Sequence, residues 1–363
     1  MTARARRSLG VAGVAALILA ACSLSPRWDG PVSDHFDGER FYGPESFDKS
    51  IGDLWRFYRE KPPSQWERNL ERPPGPRPVE RVGPGELRAT LVNHATVLLQ
   101  FDGINLLTDP IWSLRAGPGG LVGAKRFFPP GIRFEDLPEI DVVLISHNHY
   151  DHLDFETLER LQAHSAPMFV VPPGDGVWLR ERGLQRIVEL DWGESAALPN
   201  GCRVHAQPAQ HWSQRRILPS DRNYSLWLAF VLETAQGPVY FAGDTGYGPH
   251  FAHTATTFGP MRLALLPIGA YDPRWLMTYQ HVDPTEAVQA HRDLQALTGL
   301  GIHWGTFELA AEGPMQPVDD LAAARVAAGL EPAHFFAPPH GRAISLPPVE
   351  GPRTRCTPIP STS

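Results

Sequence analysis

The stretch from Asp141 to His152 constrains the fold of this chain more than any other. A compact apolar run, DVVLIS, leads directly into His147-Asn148-His149-Tyr150-Asp151-His152. Four of those six side chains can ligate a metal, and they sit between the end of a strand pattern and a helical pattern beginning at Phe155. Such placement requires a sheet whose strands deliver loops to a common site. In extended backbone, residues i and i+2 face the same way, so His147 and His149 can address one cation. Asp151 and His152, at the turn into the helix, can address a second position beside it. Zinc accepts such nitrogen and oxygen donors at about 2.0–2.2 Å. A chance histidine-rich turn is the alternative, and it leaves the strand-to-helix placement unexplained.

The surrounding pattern fits an α/β chain. Strands are expected over 87–93, 96–101 and 104–108, with a hairpin signal at Asp102-Gly103. Further strands are expected over 141–146, 168–172, 186–190, 204–207, 225–233, 238–242, 263–267, 299–303 and 335–337. Helical patterns cover 155–164, 284–297 and 318–329. Asp283-Pro284-x-Glu286 gives a start signal for the second of these and Gly299 a stop. Antiparallel hairpins followed by alternating strands and helices argue for a sandwich of mixed sheets. No heptad or fixed-period repeat is present. A length of 363 residues allows one large domain or two, and no mid-chain linker favours two.

The N-terminus reads separately. Arg4, Arg6 and Arg7 precede an apolar run over 9–21 that is too short for a bilayer span, which needs about 20 residues, but suits a signal-peptide core. Leu19-Ala20-Ala21-Cys22 resembles the lipobox of bacterial lipoproteins. The expectation is that 1–21 is removed and Cys22 lipidated, which anchors the protein to a membrane of the bacterial envelope, facing the periplasm. An uncleaved anchor is the alternative. Residues 22–85 carry Pro62-Pro63 and Pro73-Pro74-Gly75-Pro76, so an irregular extension with one short helix near 51–60 is expected. A catalytic domain over 86–345 and a tail over 346–363 follow. The net charge of −7 becomes −10 once the three leader arginines are removed. An acidic body argues against nucleic acid as a partner. It also argues against an electrostatic grip on anionic lipid, leaving the acyl anchor to hold the membrane. Cys202 and Cys356 are a disulfide pair in an oxidising compartment or two free thiols otherwise, and neither sits in a CxxC.

His211 in Gln210-His211-Trp212, Asp244 in Phe241-Ala242-Gly243-Asp244-Thr245-Gly246 and His303 in Ile302-His303-Trp304-Gly305 are each unremarkable alone. In that order after HxHxDH, the set resembles the metallo-β-lactamase superfamily. The resemblance implies an αβ/βα sandwich of two mixed β-sheets flanked by helices. On valence, His147, His149 and His211 would take one cation, and Asp151, His152 and His303 the other. Asp244, with two oxygens, would bridge them. Aspartate at that position with no cysteine ligand favours two Zn2+ per chain, although N/O donors also admit iron or manganese. Two cations roughly 3.5–4 Å apart share a water and lower its pKa toward about 7. They also stabilise charge on a transferring phosphoryl group.

The likeness then narrows. The runs 144–154, 189–192, 241–247, 267–271, 279–284 and 302–307 are similar to the N-acyl-phosphatidylethanolamine-hydrolysing phospholipase D family, in the same order over about 87–341. This resemblance implies a phospholipid substrate, cleaved to phosphatidic acid and an N-acylethanolamine, and a homodimer at a membrane surface. It assigns His281, with Gln280, to the substrate phosphate or the leaving oxygen, beside Asp151 and Asp244 as catalytic groups. A loop histidine capping the next helix is the structural alternative for His281. His94 and Asp109 also match family positions. They read as support for ligand imidazoles or, for Asp109-Pro110, as turn chemistry. Lys125-Arg126 and Arg215-Arg216 are placed to face lipid phosphates or are solvated. A lactonase, a phosphodiesterase for soluble substrates and a non-catalytic zinc lipoprotein are the competing functions. The last is disfavoured because structural zinc sites are closed, four-coordinate and often rich in thiolates.

Overall fold

The computed structural model describes residues 26–43, 45, 50–66, 72–216, 221–348 and 356. The expected leader and Cys22 lie outside them. Ahead of the sheets, Ser50 and Asp53 form a reciprocal capping box that starts helix α1, Ile51–Glu60. Phe57 pins this helix against Leu276 and Met277. Phe36 and Phe41, with ring centroids 4.6 Å apart, plug the extension into the main core.

Strands β1 (Leu87–Asn93), β2 (Thr96–Phe101) and β3 (Ile104–Thr108) match the expected spans and form an antiparallel meander. A small hairpin, β4 (Arg115–Ala116) with β5 (Ala124–Lys125), leaves the sheet. The first sheet then continues in parallel through β6 (Val142–Leu144), β7 (Met168–Val171) and β8 (Ile187–Glu189). Helices α2 (Phe155–Ser165) and α3 (Gly176–Glu181) lie between those strands in the chain. The second sheet repeats the wiring. Antiparallel β9 (Ser195–Ala197), β10 (Arg203–Gln207), β11 (Ala229–Leu232) and β12 (Val239–Phe241) come first. Parallel β13 (Leu263–Pro267), β14 (Thr298–Ile302) and β15 (Phe335–Phe336) complete it. Helices α4 (His250–Phe258), α5 (Arg274–Met277), α6 (Pro284–Asp293) and α7 (Gln316–Ala328) intervene. The final strand β16 (Ala343–Ser345) returns to the free edge of β1 in the first sheet. This is the expected α/β sandwich of two mixed sheets.

Alternation along the strands builds two apolar layers. Val97, Leu99, Val142 and Leu144 face the core shared with the second sheet. Leu98, Val143, Ile145 and Phe169 face outward onto Leu158 and Leu161 of α2. Both faces are buried, so these strands read as continuous apolar runs.

Two expected spans need correction. Helix α6 starts at its capping box, Asp283 with Glu286, but ends at Asp293 rather than 297. Gln295 turns with φ 50°, and Leu297 N–H donates to Met261 O at 2.8 Å as the chain enters β14. Gly299 is therefore not a helix stop. It lies within β14, where a Cβ would meet the Phe335 ring at 2.6 Å. The strand expected over 225–233 pairs only over Ala229–Leu232. Before that, Leu228 N–H donates to Ser146 O at 2.8 Å, which diverts the segment into bracing the histidine loop. Among the described residues, no helix is long and apolar enough to cross a membrane. Cys202 and Cys356 form a disulfide.

Candidate metal centre

The ends of β3, β6, β12 and β14 meet at one rim of the sandwich. Asp109, the 147–152 loop, Asp244 and His303 follow those ends, and His211 arrives from the loop after β10. Packing there is tight enough to hold non-glycine residues at positive φ: His94 at 46°, Asp109 at 35° and His303 at 65°. Such strain persists only where surrounding contacts over-determine the backbone. One of them is the 2.8 Å bond from His303 N–H to His94 O. Gly243, at φ 59°, lets the Asp244 turn approach the loop, since a Cβ would lie 2.6 Å from Ser146 Cβ.

The seven expected ligand side chains converge. His147 Nε2 lies 2.8 Å from His149 Nδ1, which lies 3.3 Å from His211 Nε2. In a second cluster, Asp151 Oδ2 is 3.4 Å from His152 Nε2 and 3.5 Å from His303 Nε2. Asp244 reaches both. Its Oδ2 is 3.1 Å from His152 Nε2, 3.9 Å from His211 Nε2 and 4.0 Å from His147 Nε2, while Oδ1 is 3.2 Å from His303 Nε2. His94 joins the second cluster, with Nε2 2.8 Å from Asp151 Oδ2.

Electrostatics fit this donor set to divalent cations. Burial pushes His147 and His211 well below the ordinary imidazole range and His149 down to about 3, so their nitrogens stay neutral with lone pairs available. Burial opposes charge on Asp151 and Asp244, yet neighbouring imidazoles, His152 foremost, hold both carboxyls well below the usual range. Burial also opposes charge on His152 and His303, but the carboxylates prevail. Asp244 and Asp151 push His152 well up and His303 to about 9. The second cluster thus draws positive charge toward Asp151 and Asp244, where a cation would provide it.

Outer hydrogen bonds orient the candidate donors. Asp109 is fully buried. It accepts from His152 Nδ1 at 2.6 Å, Ser146 N–H at 2.7 Å and Ser146 Oγ at 2.6 Å. Ser146 Oγ lies 2.9 Å from His147 Nδ1 in turn. Asp109 therefore braces two candidate donors, His152 directly and His147 through Ser146, and is more than a turn residue. His211 Nδ1 donates to Gln280 O at 3.0 Å.

The expected substrate residues divide. His281 Nδ1 lies 3.9 Å from Asp244 Oδ2, and its ring centroid is 5.3 Å from that of His211. The helix cap is Asp283, so His281 is not the capping residue. Gln280 turns elsewhere: its Oε1 accepts from Trp212 Nε1 at 2.8 Å and its amide contacts Met277 Sδ. Of the basic pairs, Lys125 is exposed, while Arg126 is buried and donates to Ser113 O and Ile111 O at 3.1 Å. Arg215 is also buried, beneath the histidine loop. Ser146, carrying the bridge from Asp109 to His147, was not singled out in the sequence, and its position just before His147 is the only local signal. Beside His149 opens a largely apolar cleft of roughly 470 Å³, walled by Tyr150, Trp212 and the β4–β5 hairpin.

Residues 104–304 match the family model described as a β-lactamase superfamily domain. Fold and donor set together make this chain a metal-dependent hydrolase of the metallo-β-lactamase superfamily. It is 39% identical over 246 residues to N-acyl-phosphatidylethanolamine-hydrolyzing phospholipase D 1 of Caenorhabditis elegans, covering 65% of this chain and 68% of that protein. An uncharacterised protein of Mycobacterium tuberculosis is 40% identical over 277 residues, covering 73% and 71%. The chain belongs to the N-acyl-phosphatidylethanolamine-hydrolysing phospholipase D family. Among solved structures, Igni18, a metallo hydrolase of the archaeon Ignicoccus hospitalis, shares the fold at TM-score 0.54 and 21% identity, covering 72% of this chain and 98% of its own.

Proposed function

We propose that this protein is a two-zinc phosphodiesterase of phospholipase D type, releasing phosphatidic acid and an N-acylethanolamine from N-acyl-phosphatidylethanolamine-like lipids. The observation that carries the reading is Asp244, one carboxylate within 3.1–4.0 Å of imidazoles from both donor clusters. A shared carboxylate is what a paired-cation site needs, and the names of the nearer relatives supply the substrate class. His147, His149 and His211 would hold one zinc, and Asp151, His152 and His303 the other. A zinc pair supplies Lewis-acid polarisation and a water of lowered pKa. His281, whose Nδ1 lies 3.9 Å from Asp244 Oδ2, would orient the phosphate or hand a proton to the leaving oxygen. The apolar cleft at His149 gives the lipid body a place out of water.

Zinc-loaded protein incubated with N-acyl- and plain phosphatidylethanolamine is expected to yield phosphatidic acid, with metal analysis giving two zinc per chain. No product from either lipid overturns the substrate, and turnover of a soluble phosphodiester alone favours the soluble-substrate reading.

Anchoring at the bacterial envelope through Cys22 belongs to the same proposal. It is supported by the lipobox-like leader and by the Cys202–Cys356 disulfide, since such bonds persist mainly in oxidising compartments. Labelled palmitate should enter the wild type and not Cys22→Ala; equal labelling ends the idea. Light scattering decides the homodimer that family membership suggests.

A further inference from the structure

A loop that delivers ligands from irregular backbone needs partners for its own carbonyl groups. Here three of those carbonyls meet one side chain. Arg215 Nη1 donates to Leu153 O at 2.7 Å and Asn148 O at 3.0 Å, and lies 3.5 Å from His149 O. The guanidinium is boxed by aromatic rings, 3.9 Å from the Tyr150 centroid and 4.7 Å from that of Phe155. Only 8% of the residue is exposed. From the far side, Asp175 Oδ1 accepts from Asn148 Nδ2 at 3.2 Å. Arg215 also stands four residues after His211, so the segment that brings one ligand grips the loop that brings four others.

We infer that Arg215 is a positioning residue of the metal centre, whose clamp on the 148–153 carbonyls sets the spacing of His147, His149, Asp151 and His152 against His211. This rests on the metal centre proposed above and is independent of the lipid. The arginine acts through these backbone carbonyls. All three contacts converge on Nη1, whose two hydrogens lie in the plane that the aromatic box holds, and a flexible ammonium reproduces that direction only in part. A buried cation placed merely for packing would stabilise the fold without altering ligand geometry.

The test uses the full-length protein with Arg215→Met, which keeps the apolar stem, and Arg215→Lys, which keeps charge and donors. Zinc affinity is read by competition with a chromophoric chelator, ligand geometry by visible absorption of the cobalt(II) forms, and fold by melting of the metal-free proteins. Expected is a loss of zinc affinity of about 10–100-fold in Arg215→Met with an altered cobalt spectrum, and a smaller loss in Arg215→Lys. Wild-type affinity and spectrum in Arg215→Met overturns the inference, whatever its melting temperature, as do equal losses in both variants. If Arg215→Met does not fold, Arg215→Lys decides alone: a loss of zinc affinity with a shifted cobalt spectrum supports the clamp, and parity in both overturns it. A wild type unable to hold zinc or cobalt would instead sink the metal centre itself.

Discussion

Replacing Asp109 by asparagine separates ligand orientation from structural support. The carboxylate accepts from three buried donors: Ser146 N–H, Ser146 Oγ and His152 Nδ1. Truncation to alanine would strand all three at about 1–3 kcal/mol each. Against a whole-protein stability of about 5–15 kcal/mol, a sum of about 3–9 kcal/mol threatens folding itself. Asparagine fills the same volume, and its amide oxygen can still accept from Ser146 N–H. Its NH2 group, however, faces His152 Nδ1, which must then accept. The imidazole hydrogen moves to Nε2, the atom 3.1 Å from Asp244 and 3.4 Å from Asp151, and blocks the lone pair a cation needs. The disturbance extends through Ser146 Oγ to His147. We expect Asp109→Asn to melt near the metal-free wild type while binding zinc about 10–100-fold more weakly, a cost of about 1.4–2.7 kcal/mol. Isothermal titration or chelator competition measures the affinity and calorimetry the fold. Wild-type zinc affinity in a folded Asp109→Asn would refute the argument that this carboxylate sets the His152 tautomer.

Other perturbations follow from the same structure. Asp244→Asn should weaken metal binding at both donor clusters together, visible as less than one metal per chain after dialysis; loss from one cluster only would contradict the shared carboxylate. Burial first, then His334 and Arg292, hold His291 down at about 4 against an ordinary 6.5. Its contribution to stability is therefore present above pH 6.5 and lost as pH falls through 4, worth about 3 kcal/mol. His291→Gln should flatten the wild-type decline between pH 6.5 and 4 in urea melts, and an unchanged slope would exclude the assignment. Cys202 and Cys356 close a loop of sequence separation 154, so Cys202→Ala should cost about 2–4 kcal/mol. Zinc content should not change, because Cys202 precedes β10, at the end opposite the one that leads to His211, and neither cysteine belongs to the His/Asp clusters.

Legibility in the sequence followed how local each determinant is. The spans of β1 to β3 were readable because apolar runs and the Asp102-Gly103 turn lie side by side. The donors were readable because chemistry demands particular side chains at strand ends. The start of α6 was readable from its own capping box, but not its end, since Leu297 leaves the helix to bond with Met261, more than thirty residues earlier. Arg215 looked like a surface cation because nothing near it in sequence announces the carbonyls of Asn148 and Leu153. The side-chain oxygen of Gln280 is bound by Trp212, a partner 68 residues away that no local pattern announces. The helix His250–Phe258 is absent from the expected spans because it is only 9 residues long and its buried face, Phe251, Thr254 and Ala255, mixes one large apolar side chain with small and polar ones.

The return of β16 to the edge of β1 bears on how the protein is made. During synthesis, β1 emerges some 250 residues before its outer neighbour, and until then one side of the first sheet presents unsatisfied backbone groups. An open edge of that kind recruits other strands, so the nascent chain is most exposed to mispairing while its second half is still being translated. A truncation that removes only the last strand would therefore damage yield and solubility far more than its three residues suggest.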